Sequence, residues 1–249
     1  MLHLHVIASG SKGNCSVIYD DKTTLLVDCG ISKRRLINGL KEINKSIEDV
    51  EAIFFTHEHS DHISNQNIFD DSLKYSTFGT IESEESNIME HYETYTFNTI
   101  KVTVLKTSHD AFNPCGFLFK SNKEELVYIT DTGYIPEETL KLINNKTYYY
   151  FESNHDVDML FNSGRPQYLI NRIYGDEGHL SNIDSAKYLA LAIGNKTKGI
   201  VLAHLSEECN TEKKALSTLY NVFNELGISY NGISIKCAKQ RKSVDLWLR

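Results

Sequence analysis

Thr56-His57-Glu58-His59-Ser60-Asp61-His62 follows directly on the apolar run Ala52-Ile53-Phe54-Phe55. The run reads as a buried strand. Residues at i and i+2 of an extended chain point to the same side, so His57 and His59 are placed to hold one metal ion together. Asp61 and His62, just round the turn, can face a second ion. Imidazole with carboxylate suits zinc, iron or manganese, with zinc the usual occupant.

The rest of the composition is that of an ordinary globular protein. The chain has 249 residues, 41% of them hydrophobic and 24% charged. One large α/β domain of residues 1–249 lies within the usual range. Pro is scarce, and neither an internal linker nor a repeat is visible. No apolar run approaches a membrane span, and Met1 to Val6 is too short and too polar for a signal peptide. Cys15, Cys29, Cys115, Cys209 and Cys237 are odd in number and form no C-x-x-C. They point to reduced thiols in a cytoplasm, not to a disulfide framework or a Cys-based zinc site. The formal net charge of −7 does not advertise nucleic-acid binding. Bound divalent ions would nevertheless make such a site locally positive.

Along the chain, strands are expected at Leu2 to Ala8, Cys15 to Tyr19, Thr24 to Asp28, Lys74 to Phe78, Tyr95 to Phe97, Ile100 to Leu105, Gly116 to Phe119, Leu126 to Thr130, Tyr148 to Phe151 and Gly199 to Ala203. Helices are expected from Ser32 to about Ile43, Ile81 to Glu90, Pro136 to about Ile143, Pro166 to Tyr174, Asn182 to about Ile193 and Thr211 to Leu226, with short strands in the tail. Lys33, Arg34 and Arg35 read as a solvated helix face. The turn Ser9-Gly10-Ser11-Lys12-Gly13-Asn14 either offers backbone N–H groups to an anion or is only a tight hairpin. The alternation predicts an αββα sandwich, two mixed β-sheets flanked by helices.

Seven of the ten histidines, His57, His59, His62, His109, His155, His179 and His204, fall just beyond a predicted strand or just before a predicted helix. Strand ends are where α/β folds build sites. The Ser9–Asn14 turn, the H-x-H-x-D-H string, Ser108-His109-Asp110, Thr130-Asp131-Thr132-Gly133, the stretch from Asn154 to Leu160, Gly178-His179-Leu180-Ser181-Asn182 and Ala203-His204-Leu205-Ser206 follow one another in a recognisable order. In this the chain resembles the metallo-β-lactamase superfamily, and within it the YycJ/WalJ-type subfamily of the ribonuclease Z-like branch. The match runs to about Asn210.

The resemblance implies a two-metal site. His57, His59 and His109 would hold one ion, Asp61, His62 and His204 the other, and Asp131 would bridge them. Zinc is the first choice and manganese the second. His179 resembles the branch's histidine that lies outside the metal shell and helps at the scissile phosphate. It also precedes a helix N-terminus, where N–H groups and dipole favour an anion. His155 would touch substrate or orient His179. Arg165 and Arg172 are candidate phosphate contacts, though each reads more readily as surface. His91 lies in polar surroundings and has no role.

Two metals about 3.5–4 Å apart would clamp an in-line displacement at phosphorus, with a bridging hydroxide as nucleophile. Asp61 would orient it and accept its proton. The leading reading is therefore a two-metal phosphodiesterase acting as a nuclease, 5′–3′ exonuclease-like on DNA as the resemblance suggests. One alternative is a phosphodiesterase of small diesters such as cyclic nucleotides, to which the acidic net charge tilts. Another is a metal-containing binding protein without turnover. His179 argues against a lactam, thioester or lactone hydrolase. The expected partner is a nucleic acid or nucleotide, not a membrane, and the resemblance admits a homodimer.

Overall fold

The computed structural model describes residues 1–246. Among these residues, two seven-stranded sheets face one another. The first runs, edge to edge, through β14 (Val244–Leu246), β1 (His3–Ala8), β2 (Cys15–Tyr19), β3 (Thr24–Val27), β4 (Ala52–Phe55), β5 (Lys74–Ser76) and β6 (Asn87–Ile88). The second runs through β13 (Ser234–Cys237), β12 (Gly199–Ala203), β11 (Tyr148–Glu152), β10 (Glu124–Ile129), β9 (Cys115–Ser121), β8 (Ile100–Lys106) and β7 (Thr94–Phe97). Both sheets are mixed. Strands β3 to β6 are parallel, as are β10 to β13, while β1 to β3 and β7 to β10 are antiparallel.

The apolar runs explain the layering. In β4, Ala52 and Phe54 enter the core between the sheets, and Phe54 meets Phe97, Phe117 and Phe119 of the opposite sheet edge-on. Ile53 and Phe55 point the other way and pack with Leu36 and Leu40 of α1 (Lys33–Glu42). A strand covered on both faces reads as a continuous hydrophobic run rather than an alternating one. The second sheet is covered by α3 (Glu137–Leu142), α6 (Asn182–Ala192) and α7 (Glu212–Glu225). Three further helices, α2 (Ser60–Ile63), α4 (Val157–Phe161) and α5 (Gln167–Tyr174), stand near the ends of the parallel strands. The expected αββα sandwich is present. No helix among the described residues is long and apolar enough to cross a membrane, and all five cysteines are buried and unpaired.

Two sequence expectations give way, and a third is decided between its alternatives. Ile81 to Glu90 forms no helix. Ser83 Oγ donates to Asp71 and accepts from Glu85 N, and Ser86 Oγ donates to the Ser83 carbonyl, so local side-chain bonds replace helical ones. Of the two readings of the Ser9–Asn14 turn, the tight turn is formed, with most of its N–H groups bonded within the protein. Gly10 N donates to Asn14 Oδ1 (2.8 Å), Lys12 N to Gln240 Oε1 (2.9 Å) and Gly13 N to Gly10 O (3.1 Å). Arg35 is not simply solvated, because its guanidinium donates to the carbonyls of Ile7 and Gln240.

The turn acts instead as a clamp. Asn14 N donates to Asp61 O (2.8 Å), Gly30 N to Asn14 O (3.0 Å) and Cys29 N to His62 O (2.7 Å). These bonds tie the ends of β3 and β4 into one unit, and Gly30 is there because any Cβ would collide with the Asp61 carbonyl. Gly30→Ala is therefore expected to destabilise the fold by about 1–3 kcal/mol, the range of an overpacked site. It should also loosen Asp61 and His62. Urea unfolding measures the first effect; unchanged stability would show that the loops are not rigidly coupled.

Candidate metal centre

The site side chains come from one edge of both sheets, where the parallel strands end. Asp28 follows β3, the His57–His62 string follows β4, and His109 follows β8. Asp131 follows β10, Glu152 ends β11, and His204 follows β12. Three of these residues have left-handed backbones: Asp28 (φ 59°), Asp131 (φ 53°) and His204 (φ 53°). Asp and His tolerate that region better than most residues. The conformation turns each side chain out of its strand line and in toward a common centre.

Four groups of donors lie close enough to share an ion: His57, His59 and His109; His57, His62 and Asp131; Asp61, His62 and His204; and Asp131, Glu152, His179 and His204. The first and third are the two triads expected from sequence, and Asp131 adjoins both through His57, His62 and His204. Hydrogen bonds orient the rings from behind. His109 Nδ1 is 2.9 Å from Gly178 O, and His59 Nε2 is 3.2 Å from Asp110 O. A carbonyl only accepts, so those nitrogens carry the proton. His57 Nδ1 bonds Thr56 Oγ1 (3.0 Å), His62 Nδ1 bonds Asp28 Oδ2 (2.8 Å), and His204 Nδ1 lies 3.2 Å from Glu152 Oε1. Each ring thus has one nitrogen engaged and one turned inward, the pattern that outer partners impose on metal-binding histidines.

Buried atoms left without a partner provide a direct test of fit. His57 Nε2, His204 Nε2 and Asp131 Oδ2 are buried and make no well-formed hydrogen bond in the protein, although Asp131 Oδ2 stands 3.3 Å from His62 Nε2 and His204 Nε2 stands 3.8 Å from Asp61 Oδ2. Such groups are costly unless something satisfies them, and imidazole nitrogens converging with a carboxylate oxygen form a divalent-cation donor set. The electrostatics agree. Burial alone would lower the His204 pKa, but Asp131, Asp61 and Glu152 raise it to about 10. His62 is likewise raised against its burial, by Asp28 and Asp131. Burial would push the Asp61 carboxyl up, yet bonds from His204 and His62 hold it well below the usual carboxylate range. In the metal-free protein, protons on His62 and His204 balance the carboxylates, and a divalent ion can replace them.

Three supporting residues escape a sequence reading. Glu152, fully buried, accepts from Thr132 N (2.9 Å) and Leu180 N (3.2 Å) and bonds His179 Nδ1 (2.8 Å) as well as His204. Asp28 also accepts from Thr56 N (2.9 Å). Asn14 Nδ2 lies 3.2 Å from Asp61 Oδ2. The one signal available was position, a carboxylate at the end of an apolar run, which Asp28 and Glu152 both satisfy.

A cavity of about 260 Å³ opens above the centre, with Asp61, Asp131, His179 and His204 in its wall. Arg165 and Arg172 line it too, so they are not the plain surface residues that their sequence context suggested. Arg165 pairs with Glu208 (2.7 Å), and Arg172 pairs with Asp110. The expected anion site at the start of α6 is not formed toward this cavity. Asn182 N donates to His155 O (2.8 Å), and the Ser181 side chain caps Asp184 N (3.1 Å). The helix terminus faces a separate hollow alongside Asp156 and Asp158. The structure does not bring His155 to the metal-centre cavity either. It is wholly buried, with neither ring nitrogen bonded, and burial lowers its pKa to about 4. His91 bonds the Pro114 carbonyl (3.2 Å) away from the cavity.

Comparison with known proteins adds the following. Residues 8–121 match the metallo-beta-lactamase superfamily. The chain is 36% identical over 231 residues to exodeoxyribonuclease WalJ of Streptococcus pneumoniae serotype 2 (strain D39 / NCTC 7466), covering 87% of this chain and 86% of that protein. It is 36% identical over 241 residues to exodeoxyribonuclease YycJ of Bacillus anthracis, covering 91% of this chain and 90% of that one. The solved metallo-beta-lactamase fold protein YhfI from Bacillus subtilis superposes with a TM-score of 0.71 at 17% identity, over 98% of this chain and 100% of that chain.

Two outcomes follow from the geometry. Asp28→Asn keeps the shape but weakens the carboxylate behind His62, and is expected to lower metal affinity about 10- to 100-fold, read by calorimetric titration. Because protons on His62 and His204 compete with the ion, affinity should fall as pH falls, by up to about tenfold per pH unit for each proton displaced. Titrations in buffers of different ionisation enthalpy count those protons, and a pH-independent affinity would contradict the assignment.

Proposed function

Because the chain belongs to the metallo-beta-lactamase superfamily, in the group of the WalJ and YycJ exodeoxyribonucleases, we propose that it is a metal-dependent nuclease hydrolysing phosphodiester bonds at the ends of DNA. The observation that carries this reading is the make-up of one cavity, where metal donors, the His179–Glu152 pair and two guanidiniums converge.

His57, His59 and His109 would hold one divalent ion and Asp61, His62 and His204 the other, with Asp131 between them. Zinc is the ion that this histidine-rich donor set favours. When bound, the ions supply Lewis acidity at the phosphoryl oxygens and acidify water. The protein's own groups do the rest. The ionised Asp61 accepts a hydrogen bond from the attacking water and fixes its direction. Asp61 would also accept that water's proton as the bond to phosphorus forms. Glu152 bonds His179 Nδ1 and holds that ring in the cavity wall. Its place in the cavity wall, with Nδ1 turned back to Glu152, makes His179 the group to donate a proton to the leaving oxygen. Arg165 and Arg172 take the non-bridging phosphate oxygens in place of the helix N-terminus, exchanging their carboxylate partners for substrate. Guanidinium forks suit that contact.

The test sets the purified protein with Zn²⁺ or Mn²⁺ against end-labelled single- and double-stranded DNA, RNA, and 2′,3′- and 3′,5′-cyclic nucleotides. Shortening of DNA that Asp61→Ala abolishes is the expected result. Opening of cyclic nucleotides with DNA left intact would replace the nuclease with a small-diester phosphodiesterase. His179→Ala should retain both metals and slow cleavage by about 10²- to 10⁴-fold, the usual contribution of a positioned acid. Loss of metal in that variant would move His179 into the ligand set. His91→Ala should change neither metal content nor rate.

A further inference from the structure

Beside the metal centre stands a feature that the chemistry above does not use. Phe78 and Phe112 are 61% and 70% exposed, with ring centroids 6.2 Å apart and planes inclined by 59°. Isolated exposed apolar side chains need no explanation, but this pair is fixed in place by the metal motif itself. Phe112 N donates to Glu58 Oε1 at 2.7 Å, and Glu58 lies between His57 and His59 in the chain. Two residues before Phe112, Asp110 accepts from His59 through its carbonyl and from Arg172 through its carboxylate. The Phe78 loop is pinned to the Phe112 loop by Thr77 Oγ1 donating to Asn113 O (2.5 Å). The Phe112 ring lies over Gly79, at φ +89°, where any Cβ would collide with it. The backbone is thus shaped to carry the ring, and the ring faces solvent.

We propose that Phe78 and Phe112 form a stacking subsite for the base of an unpaired nucleotide next to the scissile phosphate, so that the strand enters single. The inference rests on the nuclease reading above. Its chemistry is that of single-strand binding, in which aromatic faces take successive bases without sequence preference while cationic groups take the backbone. Here Arg172 and the ions would take phosphate, and the loop that holds Arg172 through Asp110 also carries Phe112. A base within a duplex is stacked on its neighbours and offers no free face, so the subsite selects unpaired ends.

The experiment compares kcat/KM on single-stranded oligonucleotides with native bases and on the same strands with abasic nucleotides at the two terminal positions. The wild-type protein should prefer native bases by about 10- to 100-fold, the order of base–aromatic stacking. In Phe78→Ala/Phe112→Ala the preference should fall to near unity, and Phe112→Trp should restore it. Equal rates on both strands for the wild type, or a preference that survives the double substitution, would overturn the proposal while leaving the nuclease reading intact. No cleavage of either strand would remove the nuclease reading, and the subsite with it. Sedimentation of the wild type and the double variant provides a further arm. A dimer that dissociates on substitution would make the aromatic pair a contact between two copies of the chain and overturn the subsite.

Discussion

The structure depends on compensating buried carboxylates. Asp28, Asp131 and Glu152 are almost wholly removed from water, with Asp61 beside them. An isolated buried charge is strongly unfavourable, so each must be paired. Glu152 has two backbone N–H groups and two imidazoles. These outweigh its burial and bring its pKa down to about 2, the His179 charge being the largest contributor to that lowering. Asp28 has Thr56 and His62. Asp131 Oδ2 faces the His62 ring, 3.3 Å from Nε2, without a well-formed hydrogen bond. The inner carboxylates and the inward ring nitrogens are complete only with cations among them, whether protons or metal ions. Two sheets, rather than one, are needed to surround such a cluster. Asp28, Asp61 and His62 come from one sheet, Asp131, Glu152 and His204 from the other, and the apolar layer between the sheets sets their spacing.

Backbone conformation provides the second half of the design. A side chain on a regular strand points perpendicular to the sheet. The left-handed residues after β3, β10 and β12 break that alternation at the strand ends. The surrounding bonds hold these conformations in place: Asp28 N donates to Phe54 O (2.8 Å), and His204 N to Ser9 Oγ (2.8 Å). The Ser9–Asn14 turn is part of this frame. Ser9 braces His204 while Asn14 braces Asp61, so an early turn positions residues from two distant parts of the chain.

This division explains what the sequence reveals. The metal string is legible because its meaning is local: two histidines on one side of a strand, then a carboxylate and a histidine round the turn. His109, Asp131 and His204 are legible as a set, since each follows an apolar run. Glu152 and Asp28 act through rings that belong to other segments, and nothing adjacent to them in the chain reports that contact. Helix propensity misleads at Ile81 to Glu90, where serines satisfy the backbone locally. The sequence correctly places a helix after His179 but does not show which way its terminus faces. The carbonyl of His155 and the Ser181 cap take its first N–H groups, and the terminus points away from the metal-centre cavity. His155 therefore supports the turn through its backbone, while its ring lies buried apart from that cavity.

The two arginines bear on how an acidic protein can hold a polyanion. With a net charge of −7, the chain as a whole does not attract a polyanion at long range. Two guanidiniums, those of Arg165 and Arg172, stand in the wall of the metal-centre cavity. There, Arg165 pairs with the exposed Glu208, where water and salt screen the interaction, and Arg172 pairs with the half-buried Asp110. On the proposed reading, a phosphate would exchange for those carboxylates and lie against the metal donors. Affinity built in this way comes from few contacts, all near the reacting group. That suits an enzyme that handles the end of a strand, where one phosphate must be gripped and the neighbouring nucleotides must remain free to move on.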